Sequence, residues 1–364
     1  MWFKTKIRSL KNKYVLEIYK RSGIRNKLKF FIQTNQLYLV EDLKKQVVNA
    51  EGAKQSASQI QVSVLVRWKM IKTEHGDTNL VVQLVRSGSV LDEKLLDYGT
   101  QLQSLFGAEM LSKKNLIQCV EYTFLYKKSE EKEVSDLNEK VVFGPRKEIV
   151  LNRYQKWEYV GKPHMLIAGN SGSGKSYMLF HLVHEMIREA PLSNIYICDG
   201  KFDELKMIAS EKFKMPMVAN SEEDIVNFIE MTNEFMEERY QKQTKENDAI
   251  FLVVDEFAAL HGMLEKKEFD RMNKLLKNII LKGRAANIHV LVAMQRASGS
   301  NMDLDIRDNT AIRIGLGNLS TENFKMIFGE TKNKNEIIKR ERGQGYILVD
   351  GEDVTLFEAP FIKN

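Results

Sequence analysis

The stretch His164–Val183, HMLIAGNSGSGKSYMLFHLV, decides how the rest of the chain is read. Met165 to Ala168 form a short apolar run of strand type. From Tyr177 onward the apolar residues recur at helical spacing. Between them Gly169-Asn170-Ser171-Gly172-Ser173-Gly174-Lys175-Ser176 matches the pattern G-x-x-x-x-G-K-[ST] in full, with a strand before it and a helix after it. Glycines at these positions let successive backbone N–H groups turn inward around an anion, and the helix N-terminus adds its dipole. Gly169, Asn170, Ser171, Gly172, Ser173, Gly174, Lys175, Ser176 and Tyr177 are therefore expected to hold a nucleotide. Lys175 would reach the β- and γ-phosphates, and the Ser176 hydroxyl would ligate Mg²⁺. The plainer alternative, a tight Gly/Ser turn without a ligand, does not account for the full motif with both flanks.

A phosphate cradle needs an acid for the metal and a base for water. The segment AIFLVVDEFAAL (Ala249–Leu260) supplies both where an apolar strand ends. Asp255 is expected to hold Mg²⁺ through water and Glu256 to orient the attacking water. The rival reading, that the two carboxylates only cap the next helix, is good physics at that position. The cradle upstream favours catalysis, and Glu after Asp favours ATP hydrolysis.

The residues around these motifs alternate between strand and helix. Apolar strands are expected at Met165–Ala168, Ile195–Cys198, Ile250–Val254, Val290–Ala293 and Ala311–Leu316. Amphipathic helices are expected at Tyr177–Arg188, Glu222–Gln243 and Lys267–Lys282. Continuous apolar strands between amphipathic helices mean an α/β fold with a mainly parallel sheet covered on both faces. One strand–helix unit, Ile195–Gln243, lies between the cradle and the Asp-Glu strand, as in RecA-like motor ATPases.

Upstream, the charged run Lys127–Lys140 marks a boundary. We expect a basic N-terminal arm or helix over 1–45, a small α/β module over 46–140 and the RecA-like motor over 141–364. The module is read as strands at Ile60–Trp68, Asn79–Val85 and Gln118–Tyr126. A helix between them carries Leu91, Leu95, Leu102 and Leu105 on one face and ends at Gly107. Lys4 to Lys29 hold ten basic side chains against one acid, Glu17, in a chain of net charge +6. That segment is either a solvated basic helix or a contact for nucleic acid or anionic lipid. Two isolated cysteines, Cys119 and Cys198, argue against a disulfide framework or a zinc site. No apolar run reaches membrane-spanning length. The expected localisation is cytoplasmic, with any membrane attachment made through a partner or the basic N-terminus.

Four segments, HMLIAGNSGSGKS, CDGKFDEL, FLVVDEFAAL and KGRAANIHVLVAMQR, together resemble the motor domain of the FtsK/SpoIIIE DNA translocases over roughly Trp157 to Asp350. The histidine before the first strand and the GRAA-x-IH block carry the resemblance most specifically. Within the family, W…KPHMLIAG looks most similar to coupling ATPases of Gram-positive conjugative elements. The resemblance implies ring-shaped homo-hexamers that hydrolyse ATP with Mg²⁺ at subunit interfaces and drive double-stranded DNA through the pore, sequence-tolerantly. A relaxase, replication or membrane-channel protein would be a further partner. It also implies that Gln295 senses the γ-phosphate and that Arg284 is offered in trans to the neighbouring subunit's ATP, where a guanidinium neutralises charge on the transferring phosphoryl group. Arg296 and Arg313 are rivals for that role, and a basic residue ending a helix is the plainer reading of Arg284. Asp199 and Lys201 match the family's D-x-K turn and are expected only to shape that edge. The family's divisional motors carry membrane helices and a C-terminal winged-helix domain. Here only a hairpin, Gly343–Pro360, is expected before Asn364, so chromosome segregation is not the expected role.

The leading expectation is thus an ATP-driven double-stranded DNA translocase or coupling ATPase of a mobile genetic element. The alternatives are an ATPase motor of protein secretion, a single-strand DNA helicase or packaging motor, and a nucleotide-gated DNA-binding module that does not turn over.

Overall fold

The computed structural model describes residues 23–47, 54–73, 76–129, 133–242, 248–295, 304–330, 340–350 and 352–363. The chain divides into two compact units between Glu130 and Glu131. Elements are numbered in chain order.

The smaller unit begins with helix α1 (Ile24–Thr34) and an antiparallel hairpin of β1 (Tyr38–Val47) and β2 (Lys54–Ser63). It continues through β3 (Val66–Lys72), β4 (Thr78–Val85), α2 (Gly99–Phe106), β5 (Glu109–Asn115) and β6 (Cys119–Lys127). The last four strands form an antiparallel sheet in the order β3-β4-β6-β5. Leu28 and Phe31 of α1 and Leu102 and Phe106 of α2 pack with Leu80, Leu84, Tyr122 and Phe124 of the sheet.

Three expectations are corrected here. The stretch Ile60–Trp68 is not one strand: it breaks at Val64 and Leu65, where the pairing with β1 ends on the bond from Val64 N to Leu37 O (2.9 Å) and pairing with β4 begins at Val66. The leucine-bearing segment is a 3₁₀ turn (Asp92–Asp97) followed by α2, not one helix. The break lies at Tyr98, whose N–H meets the hydroxyl of Tyr122 (3.3 Å), while that hydroxyl donates to Leu95 O (2.5 Å). Strand β5 was not anticipated. A bulge between Met110 and Ser112 turns Met110 and Leu111 both inward, so the strand lacks the period-2 alternation that would reveal it.

In the larger unit β7 (Val134–Asp136) pairs in parallel with β17 (Phe361–Lys363), and β8 (Ile149–Val150) pairs with β9 (Lys156–Trp157). Leu137 is buried in this unit's core, so residues 133–140 fold with it rather than with the module assigned to 46–140. The central sheet holds β10 (Met165–Gly169), β11 (Ile195–Asp199), β12 (Ile250–Asp255), β13 (Ile288–Met294), β14 (Ile312–Leu316), β15 (Gln344–Val349) and β16 (Thr355–Glu358). Its order is β11-β12-β13-β10-β14-β15-β16, parallel through β14 and antiparallel in the C-terminal hairpin. The helices are α3 (Lys175–Glu189), α4 (Glu204–Met207), α5 (Glu222–Lys242), α6 (Phe257–Met263), α7 (Lys266–Lys282), α8 (Leu304–Asp308) and α9 (Thr321–Phe328). Alternate residues of β10 face opposite cores. Met165 and Ile167 pack with Met178, Leu182 and Val183 of α3, and Leu166 and Ala168 lie in the core of α5 and α7 with Ile225, Met236 and Leu276. Burial on both faces is why these strands read as unbroken apolar runs. Each strand and helix expected in this unit is present, with ends shifted by a residue or two.

Buried histidines brace the end of the sheet where the parallel strands begin. His164 Nδ1 accepts from Val290 N (3.1 Å), and His289 Nδ1 donates to Pro163 O (3.0 Å). On α3, His181 Nε2 donates to Val150 O (2.8 Å) and its Nδ1 accepts from the Ser135 hydroxyl (2.9 Å). Burial pushes the pKa of His164 and His181 down to about 4, and that of His289 down to about 3. Above the unfolded value, about 6.5, these rings are neutral in both states and add no pH dependence. Below it the unfolded chain binds protons that the folded chain refuses. Stability is therefore full above pH 6.5 and falls as pH drops towards 4, by about 1.4 kcal/mol per pH unit for each ring and about 4 for the three together. The urea midpoint of the chain is expected to fall steeply between pH 6.5 and 5; a midpoint constant over that range contradicts the neutral, buried state of these rings.

Candidate nucleotide site

The chain leaves β10 at Gly169 and reaches α3 at Lys175 through a turn too tight for side chains at two points. A Cβ on Gly169 would lie 2.5 Å from Ser173 Oγ and 3.1 Å from Leu316 Cβ. Gly174 has φ +99°, and a Cβ there would lie 3.0 Å from Gly343 N. The turn is clamped from the β14–β15 side: Gly343 N donates to Ser173 O (2.8 Å) and Asn170 Nδ2 donates to Asn318 O (3.1 Å). Ser173 Oγ and Asn170 Oδ1 are buried without a protein partner. Orphaned polar atoms in a glycine turn at a helix N-terminus fit an anion ligand.

Asp255 ends β12, and Glu256 follows with φ +52° and ψ +43°, a left-handed conformation that costs a non-glycine residue about 1 kcal/mol or more. The turn is held by Glu256 N donating to Asp255 Oδ1 (2.8 Å) and Ala259 N donating to Glu256 O (2.7 Å). It aims both carboxylates at one ammonium. Lys175 Nζ is ion-paired with Asp255 Oδ1, and with Glu256 Oε1 at 2.9 Å. All three side chains are more than nine-tenths buried. Burial opposes the charge on Lys175, but Asp255 and Glu256 more than offset it and hold the ammonium above its ordinary pKa. Lys201 Nζ, on the solvent side, stands 3.4 Å from Glu256 Oε1.

Gln295 follows β13, the strand lying between β10 and β12, and faces the same cavity as the glycine turn, Lys175, Ser176, Tyr177, Asp255 and Glu256. That cavity has a volume of about 330 Å³. It sits beyond the carboxyl ends of the parallel strands, where doubly wound sheets take ligands. Asp199 does shape its own edge: its carboxylate accepts from the N–H groups of Lys201 (3.0 Å), Asp203 (3.0 Å) and Lys206 (3.2 Å). Among the described residues no cluster of three or more His, Cys, Asp or Glu could cage a metal by itself. Ser176 and Asp255 form the sparse donor set that suits Mg²⁺, which keeps waters and shares phosphate oxygens.

The structure does not bring Arg284 into this cavity. Arg284 is exposed in the turn Gly283–Ala286, ahead of β13, at the opposite end of the sheet. The seven residues of β13 separate it from Gln295 by about 20 Å. Its turn is nonetheless pinned: Arg239 Nη1 donates to Ala286 O (2.7 Å), Tyr240 Oη donates to Lys282 O (2.6 Å), and Ile250 N donates to Asn287 O (3.0 Å). Arg313 is half-buried, with Nε donating to Thr310 O (3.2 Å). Arg296 lies outside the described residues. Four cavity residues were missed in the sequence: Asp203, Glu204 and Leu205, in the turn after β11 and the start of α4, and Arg342. Arg342 lines the cavity from the turn before β15, its guanidinium 4.6 Å from the ring centre of Tyr177. The basic run Lys339–Arg342 beside the Gly-Gln-Gly of the hairpin was the signal for it.

Fold and site together define the larger unit as a RecA-like phosphate-loop ATPase domain. Within that class the chain is similar to FtsK-type motor proteins, as its motifs suggest. It is 24% identical over 363 residues to the FtsK domain-containing protein YdcQ of Bacillus subtilis, which covers 96% of this chain and 72% of the relative. It is 27% identical over 194 residues to the DNA translocase FtsK of Staphylococcus aureus, covering 46% of this chain and 24% of that protein. The chain thus spans about a quarter of the length of that translocase. In fold it matches the pCW3 conjugation coupling protein TcpA, in a monomer form with ATPγS, with a TM-score of 0.53 and 18% identity, over 82% of this chain and 89% of that one. No family model matches the chain.

Proposed function

We propose that this chain is an ATP-driven motor that moves double-stranded DNA, working as a closed homo-hexameric ring in the transfer or processing of a mobile genetic element's DNA. The observation that carries the reading is the convergence of Lys175, Asp255, Glu256 and Gln295 on one cavity beside the glycine turn, in a chain that aligns over 96% of its length with an FtsK domain-containing protein.

Lys175, already buried and charged, would exchange its carboxylate partners for phosphate oxygens of ATP. Asp255 is then left to hold Mg²⁺ together with Ser176, and Glu256 to orient the attacking water. Bound Mg²⁺ would neutralise charge on the β- and γ-phosphates. Gln295, just past the strand between cradle and acid pair, would contact the γ-phosphate. Arg284 would serve the neighbouring subunit: it is exposed, rigidly presented and at the wrong end of its own sheet to serve its own site. Among the described residues no helix is long and apolar enough to cross a membrane. Any membrane recruitment is proposed to go through a partner, such as a channel protein, or through the basic residues of Lys4–Lys29, a segment that falls largely outside the described residues.

A motor that must pass any sequence can grip only the phosphate backbone. DNA affinity should accordingly be sequence-tolerant and fall steeply with salt, by roughly 10³-fold or more between 50 and 200 mM if six or more phosphates are contacted. Filter binding on unrelated duplexes across that range tests the proposal. A flat salt response, or strong preference for one duplex, overturns the backbone grip.

A further inference from the structure

The site has a direction. In the sheet order β12-β13-β10-β14-β15, the glycine turn after β10 is central. Glu256 and Gln295 follow β12 and β13 on one side, where the terminal phosphate is handled. On the other side, among the described residues, the only charged side chain lining the cavity is Arg342, which precedes β15. The far end of a nucleotide whose γ-phosphate meets Glu256 must therefore leave the glycine turn towards Arg342.

Tyr177 and Arg342 meet there. Tyr177 is in the first turn of α3, half-buried, two residues after Lys175. Arg342 stacks its guanidinium over that ring at 4.6 Å. The backbone beneath is fixed, because Gly343 N donates to Ser173 O (2.8 Å) and Arg342 Cγ lies 3.7 Å from the position a Cβ on Gly174 would take. No described carboxylate is paired with Arg342. A planar cation stacked on an aromatic ring at the mouth of a phosphate site presents flat π-faces without directional edge contacts. That surface suits a heterocyclic base, and it reads stacking area rather than the hydrogen-bonding edge.

We propose that Tyr177 and Arg342 form the platform on which the nucleotide base stacks, and that this platform gives affinity for purine nucleoside triphosphates with little discrimination between adenine and guanine. The proposal rests on the nucleotide-binding reading of the glycine turn. It is tested by calorimetry on the full chain with Mg²⁺, using ATP, GTP, CTP and inorganic tripolyphosphate as ligands. Wild type is expected to bind ATP and GTP similarly and CTP more weakly. Arg342→Ala and Tyr177→Ala should each weaken ATP binding by roughly ten-fold or more and leave tripolyphosphate binding unchanged. Tyr177→Phe, which keeps the ring, should retain the affinity for ATP. An equal loss for ATP and tripolyphosphate would move Arg342 to the phosphates and overturn the platform. So would ATP affinity that is unaltered in both alanine variants, or a strong preference for ATP over GTP. Wild-type protein that binds none of the four would overturn the glycine-turn reading itself.

Discussion

Lys175→Ala is expected to weaken ATP binding by roughly 10²- to 10³-fold, the usual cost of truncating one partner of a buried charge pair. Glu256→Gln is expected to leave that affinity intact while lowering turnover by about 10²- to 10⁴-fold, the worth of a positioned base. The two residues touch each other, so both effects could look alike in a crude activity assay. Their roles separate because Lys175 would meet the phosphates themselves and Glu256 only the water. The substitution at Lys175 also leaves Asp255 and Glu256 buried together without their ammonium, which destabilises by several kcal/mol. Lys175→Ala with Asp255→Asn removes much of that repulsion and should still bind ATP no more tightly than Lys175→Ala. Titration of labelled ATP into the three variants, each first shown to be folded by circular dichroism, measures this. Equal affinity in wild type and Lys175→Ala contradicts the phosphate cradle.

Arg284→Ala should lose about 10³-fold or more in turnover while keeping ATP affinity, if its guanidinium serves a transferring phosphoryl group as such residues do elsewhere. The separation of about 20 Å from Gln295 along β13 means that the loss must arise at a neighbour's site. A ring of like subunits has head-to-tail interfaces that close, so each site receives one arginine. Complementation reads this directly. Arg284→Ala subunits keep Glu256, and Glu256→Gln subunits keep Arg284. In mixtures of the two inactive proteins, interfaces that join an intact arginine to an intact glutamate should recover hydrolysis. Mixtures that co-assemble and stay inactive would remove Arg284 from the role. Repeating the mixture with Arg296→Ala or Arg313→Ala in its place would reassign it. Arg313 is the poorer rival in the structure, since it is half-buried and spends Nε on Thr310 O.

The larger unit was legible in the sequence because its physics is local and repetitive. Strands β10 to β14 are buried on both faces and so read as uninterrupted apolar runs, and the glycine turn has a spacing that few other structures require. The acid pair was legible for the same reason, since Asp255 and Glu256 stand where the unbroken apolar run Ile250–Val254 ends. The ion pairs from Lys175 to both carboxylates were not, because the partners are 80 or more residues apart in sequence and meet only when β12 is placed two strands from β10. Arg342 was missed on the same ground: it reaches the cavity through the antiparallel return of β15, and its partner Tyr177 precedes it by most of the domain. In the smaller unit the failures are conformational. A bulge hides β5, a hydroxyl of Tyr122 interrupts the leucine helix at Tyr98, and the chain changes partner from β1 to β4 across Val64 and Leu65. None of these has a signature in a single residue.

The central claim is that ATP hydrolysis at Glu256 is coupled to movement on double-stranded DNA. The direct measurement is steady-state ATP turnover by the full chain with double-stranded DNA, with single-stranded DNA and with none, alongside Glu256→Gln. The account predicts turnover that rises several-fold with double-stranded DNA of unrelated sequences, rises less with single strands, and is lost in Glu256→Gln. Turnover indifferent to any DNA, or stimulated by single strands alone, would contradict it.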